Sequence, residues 1–181
     1  INSWGEFKKE LRTLKKPAAK ERFETIIVDT ADIAYEYCEK YIASQQGVQT
    51  IKDVEWGQGY GLVEREFDGA MRDIVKMGYG LVLISHSTDK VFKDENGEEY
   101  NQITTTLDKR GHKVVSRMAD ILGFIKNMDG TEDYEPHVRM FMRGTPRYVA
   151  GSRFEHIVPS IEFNYENLVN AIGDAVDELE K

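Results

Sequence analysis

Apolar positions along the chain change period several times, and each change predicts an element. Ser3 precedes Trp4, Phe7, Leu11 and Leu14, which recur at helical spacing until Lys15-Lys16-Pro17 breaks the run. Phe23–Thr30 then reads FETIIVDT, with Ile26, Ile27 and Val28 consecutive, the composition of a strand covered on both faces. From Ala31 to about Ser44 the spacing of Ile33, Ala34, Tyr37, Cys38, Tyr41 and Ile42 predicts a helix. Gly47 opens a loop containing Trp56, Gly57, Gly59 and Gly61. A second helix, from about Tyr60 to Met77, carries a wide stripe of Leu62, Val63, Phe67, Ala70, Met71, Ile74 and Val75, and Gly78 stops it. Tyr79–Ser87, YGLVLISHS, is a second continuous apolar strand.

Strand, helices and strand in that order form a crossover unit, which predicts an α/β fold with a mainly parallel sheet flanked by helices. Downstream, Asn96-Gly97 marks a polar hairpin over Lys90–Thr106. A two-faced helix follows from Leu107 to about Met118, with Lys109, Lys113 and Arg117 on one side and Val114, Val115 and Met118 on the other. Ile121–Ile125 is a short strand, Asp129–Pro136 a loop, and Val138, Met140 and Met142 alternate with Arg139, Phe141 and Arg143 as in a half-exposed strand. Asn164 caps a last helix bearing Leu168, Ala171, Ile172, Ala175 and Leu179.

With 181 residues and 40% hydrophobic composition, one domain over 1–181 is expected. No apolar run reaches membrane-spanning length, so a soluble chain with no membrane partner is expected. Ile1 is not a translation start and no signal peptide is visible, so further sequence upstream is expected. Cys38 is the one cysteine, which excludes an intrachain disulfide and fits a reducing compartment; a core thiol is its plainer reading. The net charge is −8, yet residues 1–22 hold seven Lys/Arg against three Asp/Glu. A wrap-around nucleic-acid surface is therefore not expected, while local basic patches remain able to touch phosphate.

Candidate chemistry follows from the sheet, because ligands of open parallel sheets collect at the carboxyl ends of the strands. The two apolar strands end in Asp29 and His86. An apolar strand closing on Asp has the form of a Walker B element, whose carboxylate holds Mg²⁺ beside nucleotide phosphates. The alternative is that Asp29 caps the following helix, a duty that Thr30 or Asp32 could share. His86, Ser85 and Ser87 either bond to backbone or sense a terminal phosphate. Glu24 and Glu36 are candidate water-activating carboxylates, or ordinary surface charges. The 181 residues contain no G-x-x-x-x-G-K followed by Ser or Thr, and Gly57-Gln58-Gly59-Tyr60-Gly61 reads as a flexible loop.

FETIIVDTADIAYEYCEKYI, GYGLVEREF, GYGLVLISHS, VVSRMADILGFI, RGTPRYVAGSRF and PSIEFNYENLVNAI, in that order, resemble phage-associated AAA-type nucleotide-binding proteins with a RecA-like P-loop ATPase core. The likeness runs from Trp4 to about Leu179. It implies a single truncated RecA-like ATPase domain over 1–181, with the first strand and the phosphate loop lying upstream. It also implies that the strand ending at His86 lies between that loop-bearing strand and the strand ending at Asp29.

By this likeness Asp29 takes the Mg²⁺-associated role, Thr30, Ser85 and His86 join it at the ATP, and Ser85 with His86 senses phosphate. Arg153 in AGSRF matches the arginine of a finger that reaches a neighbouring subunit's nucleotide, although Ala150 or Gly151 stands where that pattern has lysine. Arg143 and Arg147 are rivals for the role, and a solvated strand face is the plain alternative for all three.

The implied function is Mg²⁺-dependent ATP hydrolysis coupled to DNA recombination or repair, in a homo-oligomer, in the cytoplasm of a bacterial host or phage-infected cell. Lys109, Lys113 and Arg117 are the candidate DNA-phosphate contacts, or the wet side of a helix. Without its phosphate loop the 181-residue chain is expected to be inactive. Two alternatives stand beside this reading: a non-catalytic interaction or oligomerisation module, and a metal-dependent nuclease built on Asp29, Asp32 and His86.

Overall fold

The structure is a computed structural model that describes residues 1–130 and 135–179. The chain divides into two compact units, Ile1–His86 with Thr105–Arg117, and Ser87–Thr104 with Met118–Lys181. In the first unit α1 (Trp4–Leu14) starts at Ser3, whose hydroxyl accepts from Glu6 N–H at 3.2 Å. Pro17 begins a one-turn helix, α2 (Pro17–Lys20), a position where its missing N–H costs nothing. Sequence periodicity is blind to so short an element.

Strand β1 (Thr25–Asp29), helix α3 (Ala31–Gln45), helix α4 (Gln58–Lys76) and strand β2 (Gly80–Ile84) form the expected crossover. β1 and β2 pair in parallel, with Thr25 opposite Gly80 and Asp29 opposite Ile84. Helices α1, α3 and α4 enclose a core in which Trp4 stacks on Phe7 and Phe67, with ring centroids 4.8 and 5.9 Å away, and Tyr35 meets Phe67 edge-on at 5.1 Å. Cys38 is fully buried there, and burial pushes its thiol far above the ordinary range, as befits an inert core residue. Trp4 Nε1 (2.9 Å) and Lys8 Nζ (2.7 Å) both donate to Glu66 Oε1, fastening α1 to α4.

Two expectations are corrected. The glycine-rich stretch is not a flexible loop: Gly57 adopts φ +67° at the helix start, and Gly59 and Gly61 lie inside α4. A Cβ on Gly59 would stand 2.5 Å from the Ile51 carbonyl oxygen, so this glycine permits close packing of the preceding 3₁₀ turn (Ile51–Asp53) on the helix. The apolar strands are also not covered on both faces. Val28 is buried and Ile26, Leu81 and Leu83 are partly so, whereas the alternate residues Ile27, Val82 and Ile84 are 62%, 45% and 42% exposed.

The second unit contains β3 (Ser87–Lys93) and all but the last residue of β4 (Glu99–Thr105), joined by a turn in which Asp94 Oδ1 accepts from the N–H groups of Asn96 and Glu98, both at 2.8 Å. Gly97 supplies the positive φ of +83° that this turn requires. Helix α5 (Lys109–Met118) leads from the first unit into short β5 (Ile121–Leu122), which pairs antiparallel with β8 (Gly151–Ser152). Strands β6 (Phe124–Met128), β7 (His137–Phe141) and β9 (Ser160–Glu162) form an antiparallel sheet in the order β6-β7-β9. Met140, Met142 and Ile157 pack with Ala171 and Ala175 of α6 (Tyr165–Asp177), whose cap is Asn164. Part of the loop expected over Asp129–Pro136 lies outside the described residues.

The fold is therefore mixed α/β with small sheets; among the described residues parallel pairing joins β1 to β2 and otherwise occurs as one isolated bridge, between Ile103 and Tyr148. Among the described residues, the mainly parallel sheet expected from the strand-helix-strand pattern is a sheet of two strands, β1 and β2. The turn at Asp94–Gly97 that joins β3 to β4 is too short to link parallel neighbours. Phe67→Ala should cost about 3–5 kcal/mol, because it empties the centre of an aromatic cluster. Urea denaturation followed by tryptophan fluorescence reads this loss, with Trp4 as the reporter.

Candidate functional site

The parallel pair brings the carboxyl ends of β1 and β2 to one rim. Asp29 is the last residue of β1, opposite Ile84, and Ser85 and His86 follow β2 directly. Asp29 is exposed, and its carboxylate has no hydrogen-bond or ion-pair partner among the described residues. The capping alternative falls to Thr30, whose hydroxyl accepts from Ile33 N–H at 3.5 Å. Asp29 is thus left with an uncommitted hard-oxygen ligand on a strand end.

Asp32, in the first turn of α3, is the most heavily engaged group of the rim. Its Oδ1 accepts from Ser85 Oγ at 2.8 Å and from Thr106 Oγ1 at 2.6 Å, and its Oδ2 accepts from His86 N–H at 3.2 Å. The side chain is 14% exposed, against 70% for His86, whose Nδ1 lies 3.7 Å from Oδ2. Burial alone would raise the Asp32 pKa, and it is the largest single influence. Donation from Thr106, Ser85 and His86 N–H, with the Asp32 amide, outweighs it and holds the carboxyl below its ordinary range. Thr106 N–H also donates to the His86 carbonyl at 2.9 Å.

Sequence reasoning placed Asp32 only as a shared cap or a nuclease ligand, and it missed Thr105 and Thr106 altogether. Their one sequence signal is the run Thr104-Thr105-Thr106 at the mouth of a helix, which has the look of a capping stretch.

The remaining candidates fall elsewhere. Glu24 precedes β1, so it stands roughly 16 Å from Asp29 at about 3.3 Å per strand residue, too far to activate water beside it. Glu36 is exposed on α3. Arg153 belongs to the second unit; its amide donates to the Asp120 carbonyl at 2.9 Å and its Nη1 lies 3.3 Å from Asp120 Oδ1. Arg143 donates through Nη2 to the Phe154 carbonyl at 3.1 Å and to the Glu155 carbonyl, which makes it a strut for the 154–155 turn. Arg147 is exposed.

On α5, Lys109, Lys113 and Arg117 are exposed while Val114 and Val115 are buried, and Lys113 Nζ pairs with Glu64 Oε1 at 2.9 Å. Three His, Cys, Asp or Glu side chains do not converge on one point anywhere among the described residues, so the nuclease set of Asp29, Asp32 and His86 is not assembled. No helix among the described residues is long and apolar enough to cross a membrane.

Asp32→Asn should lower stability at neutral pH by about 1–3 kcal/mol, the cost of weakening a partly buried carboxylate's acceptance from three donors. Because the folded pKa is depressed, this contribution is complete above the ordinary value of 3.8 and is lost as pH falls through the folded value. The gap between wild type and variant should accordingly close in acid, as read from denaturation midpoints across pH.

Comparison with known proteins bears on what this rim serves. The chain is 32% identical over 188 residues to the SPbeta prophage-derived uncharacterized protein YorG of Bacillus subtilis (strain 168), in an alignment covering 100% of this chain and 55% of that protein. The chain therefore spans about half the length of this relative. No solved structure matches. The model of a family described as AAA domain matches residues 1–154, an interval that contains β1, β2 and the whole Asp29–Asp32–His86 rim, and the chain belongs to that family.

Proposed function

We infer that the chain is the downstream part of a phage-type ATP-binding protein with a RecA-like P-loop core, in which residues 1–181 act as one truncated ATPase domain. The observation that carries this reading is the rim itself. An unpartnered strand-end carboxylate, Asp29, and the Ser85–His86 segment stand at the same end of a parallel strand pair in an AAA-domain chain.

In this role Asp29 holds Mg²⁺, which neutralises the triphosphate, while Thr30 and His86 face the nucleotide. β2 has β1 on one edge and no strand on its other edge among the described residues. The resemblance puts the loop-bearing strand on that second edge, and its backbone N–H groups would supply the phosphate cradle. Hydrolysis by attack of water on the terminal phosphoryl group, coupled to DNA recombination or repair in a homo-oligomer, is the activity assigned to the whole protein. Arg153 is kept as its trans-acting finger. The Lys109, Lys113 and Arg117 stripe is kept as the DNA-phosphate contact, with Lys113 weakened in that part by Glu64.

The test is Mg²⁺-dependent ATP binding and turnover. The 181-residue chain should turn over ATP negligibly. In the full-length protein Asp29→Ala should reduce Mg²⁺·ATP binding by about tenfold or more, because the cation's anchor is lost. Turnover by the 181-residue chain that disappears on Asp29→Ala would overturn the division of labour.

A different observation favours the interaction-module reading. Exposed Ile27, Val82 and Ile84 form an apolar strip on one face of the β1–β2 pair, and unpaired strand edges invite another chain. On that reading light scattering should show self-association that is indifferent to ATP, and a nucleotide-insensitive monomer would remove both oligomeric versions.

A further inference from the structure

The Ser85 hydroxyl carries one proton, and the geometry decides where it goes. Ser85 Oγ lies 2.8 Å from Asp32 Oδ1 and 3.3 Å from the His86 carbonyl. It is also in hydrogen-bond contact with Thr105 Oγ1. A carboxylate accepts more strongly than a neutral carbonyl, so the proton is spent on Asp32. Thr105 must then donate its own proton to Ser85 Oγ, and the Thr105 oxygen is left to accept from Leu107 N–H at 3.0 Å. The Thr106 proton is spent on Asp32 in the same way, at 2.6 Å against 3.3 Å to the His86 carbonyl. With these bonds made, neither Ser85 nor Thr105 has a donor left for an incoming anion.

The same bonds bracket an excursion of the chain. The first unit ends at His86 and resumes at Thr105, and Asp32 holds residues on both sides of that gap. Thr106 N–H closes the base by donating to the His86 carbonyl at 2.9 Å. His86 is fixed through its backbone, while its side chain remains 70% exposed.

We propose that Asp32 is the positioning residue of this rim and that Ser85 and Thr106 are its struts, so that of the Ser85–His86 pair only the His86 side chain is presented to a phosphoryl group. The Asp32 part stands on geometry alone; the His86 part rests on the nucleotide-binding reading above. Ser85 is thereby moved from phosphate sensor to scaffold, and Asp32, Thr105 and Thr106 are added to the site.

The experiment has a nucleotide-free arm and a nucleotide arm, both in the full-length protein. In the first, amide hydrogen exchange at His86 and Thr106 should accelerate about tenfold or more in Asp32→Ala, as a local opening would. Ser85→Ala should accelerate it less, and Ser85→Thr, which keeps the hydroxyl, should restore wild-type protection. A carbon-13 titration of the Asp32 carboxyl adds a readout that a merely structural role would not move: Ser85→Ala and Thr106→Val should each raise its pKa toward the ordinary value. Unchanged exchange in Asp32→Ala, or an Asp32 titration indifferent to both struts, overturns the positioning role. Should Asp32→Ala fail to fold, Thr106→Val and the Ser85→Ala and Ser85→Thr pair decide the matter.

In the second arm Mg²⁺·ATP is titrated into wild type, His86→Ala, Ser85→Ala and Ser85→Thr. His86→Ala should weaken binding about tenfold, as expected for a lost hydrogen bond to a charged group, with exchange protection intact, and Ser85→Thr should bind as wild type. Weakened binding in Ser85→Ala with exchange and Asp32 titration unchanged would return the sensor role to Ser85 and sink the proposal. No binding by wild type would end the nucleotide reading and the His86 assignment with it, while the exchange arm still decides the role of Asp32.

Discussion

Parallel pairing of two five-residue strands is the constraint on which the site depends. With Thr25 opposite Gly80 and Asp29 opposite Ile84, the two strands finish together, and whatever follows each one is delivered to the same rim. A parallel pair needs a long crossover between its members, and α3 and α4 supply it. Their inward faces, with Trp4 of α1, make the core that holds the pair in register. A one-residue slip of β2 against β1 would turn Leu81 and Leu83 outward, so burial and strand register enforce each other.

On this rim the carboxylates divide their work by environment. Asp29 stands at the strand end with no partner among the described residues, and so can accept a cation. Asp32 lies three residues on, at the first turn of a helix, where partial burial would penalise its charge if three donors did not converge on it. The first group is available for chemistry and the second is consumed by structure. Both groups lie inside the interval, residues 1–154, that the AAA domain family model matches.

Much of the first unit was legible in the chain because its elements are long and strongly patterned. The Ser3 cap, the crossover helices and both apolar strands each rest on a local signal, and in the second unit so does the Asn96-Gly97 turn. The misreadings have local causes too. Gly59 and Gly61 look like loop residues in composition, but both lie inside α4, and at Gly59 a neighbouring turn packs against the helix backbone. β8 and β9, of two and three residues, are too short for period-two alternation to register. Runs such as Ile26-Ile27-Val28 carry no information about which face a second layer will cover.

By itself the sequence determined that two apolar strands end in Asp29 and Ser85-His86, that helices connect them, and that one cysteine lies in the core. These are properties of periodicity and composition, which act over a few residues. Only the tertiary structure decided that Thr30 rather than Asp29 caps α3, that Lys113 and Arg143 are engaged by neighbours, and that Asp32 gathers Ser85, His86 and Thr106. The Asp32 bonds join residues 53, 54 and 74 positions apart, and a hydrogen bond at that separation is fixed by packing, which no local pattern encodes.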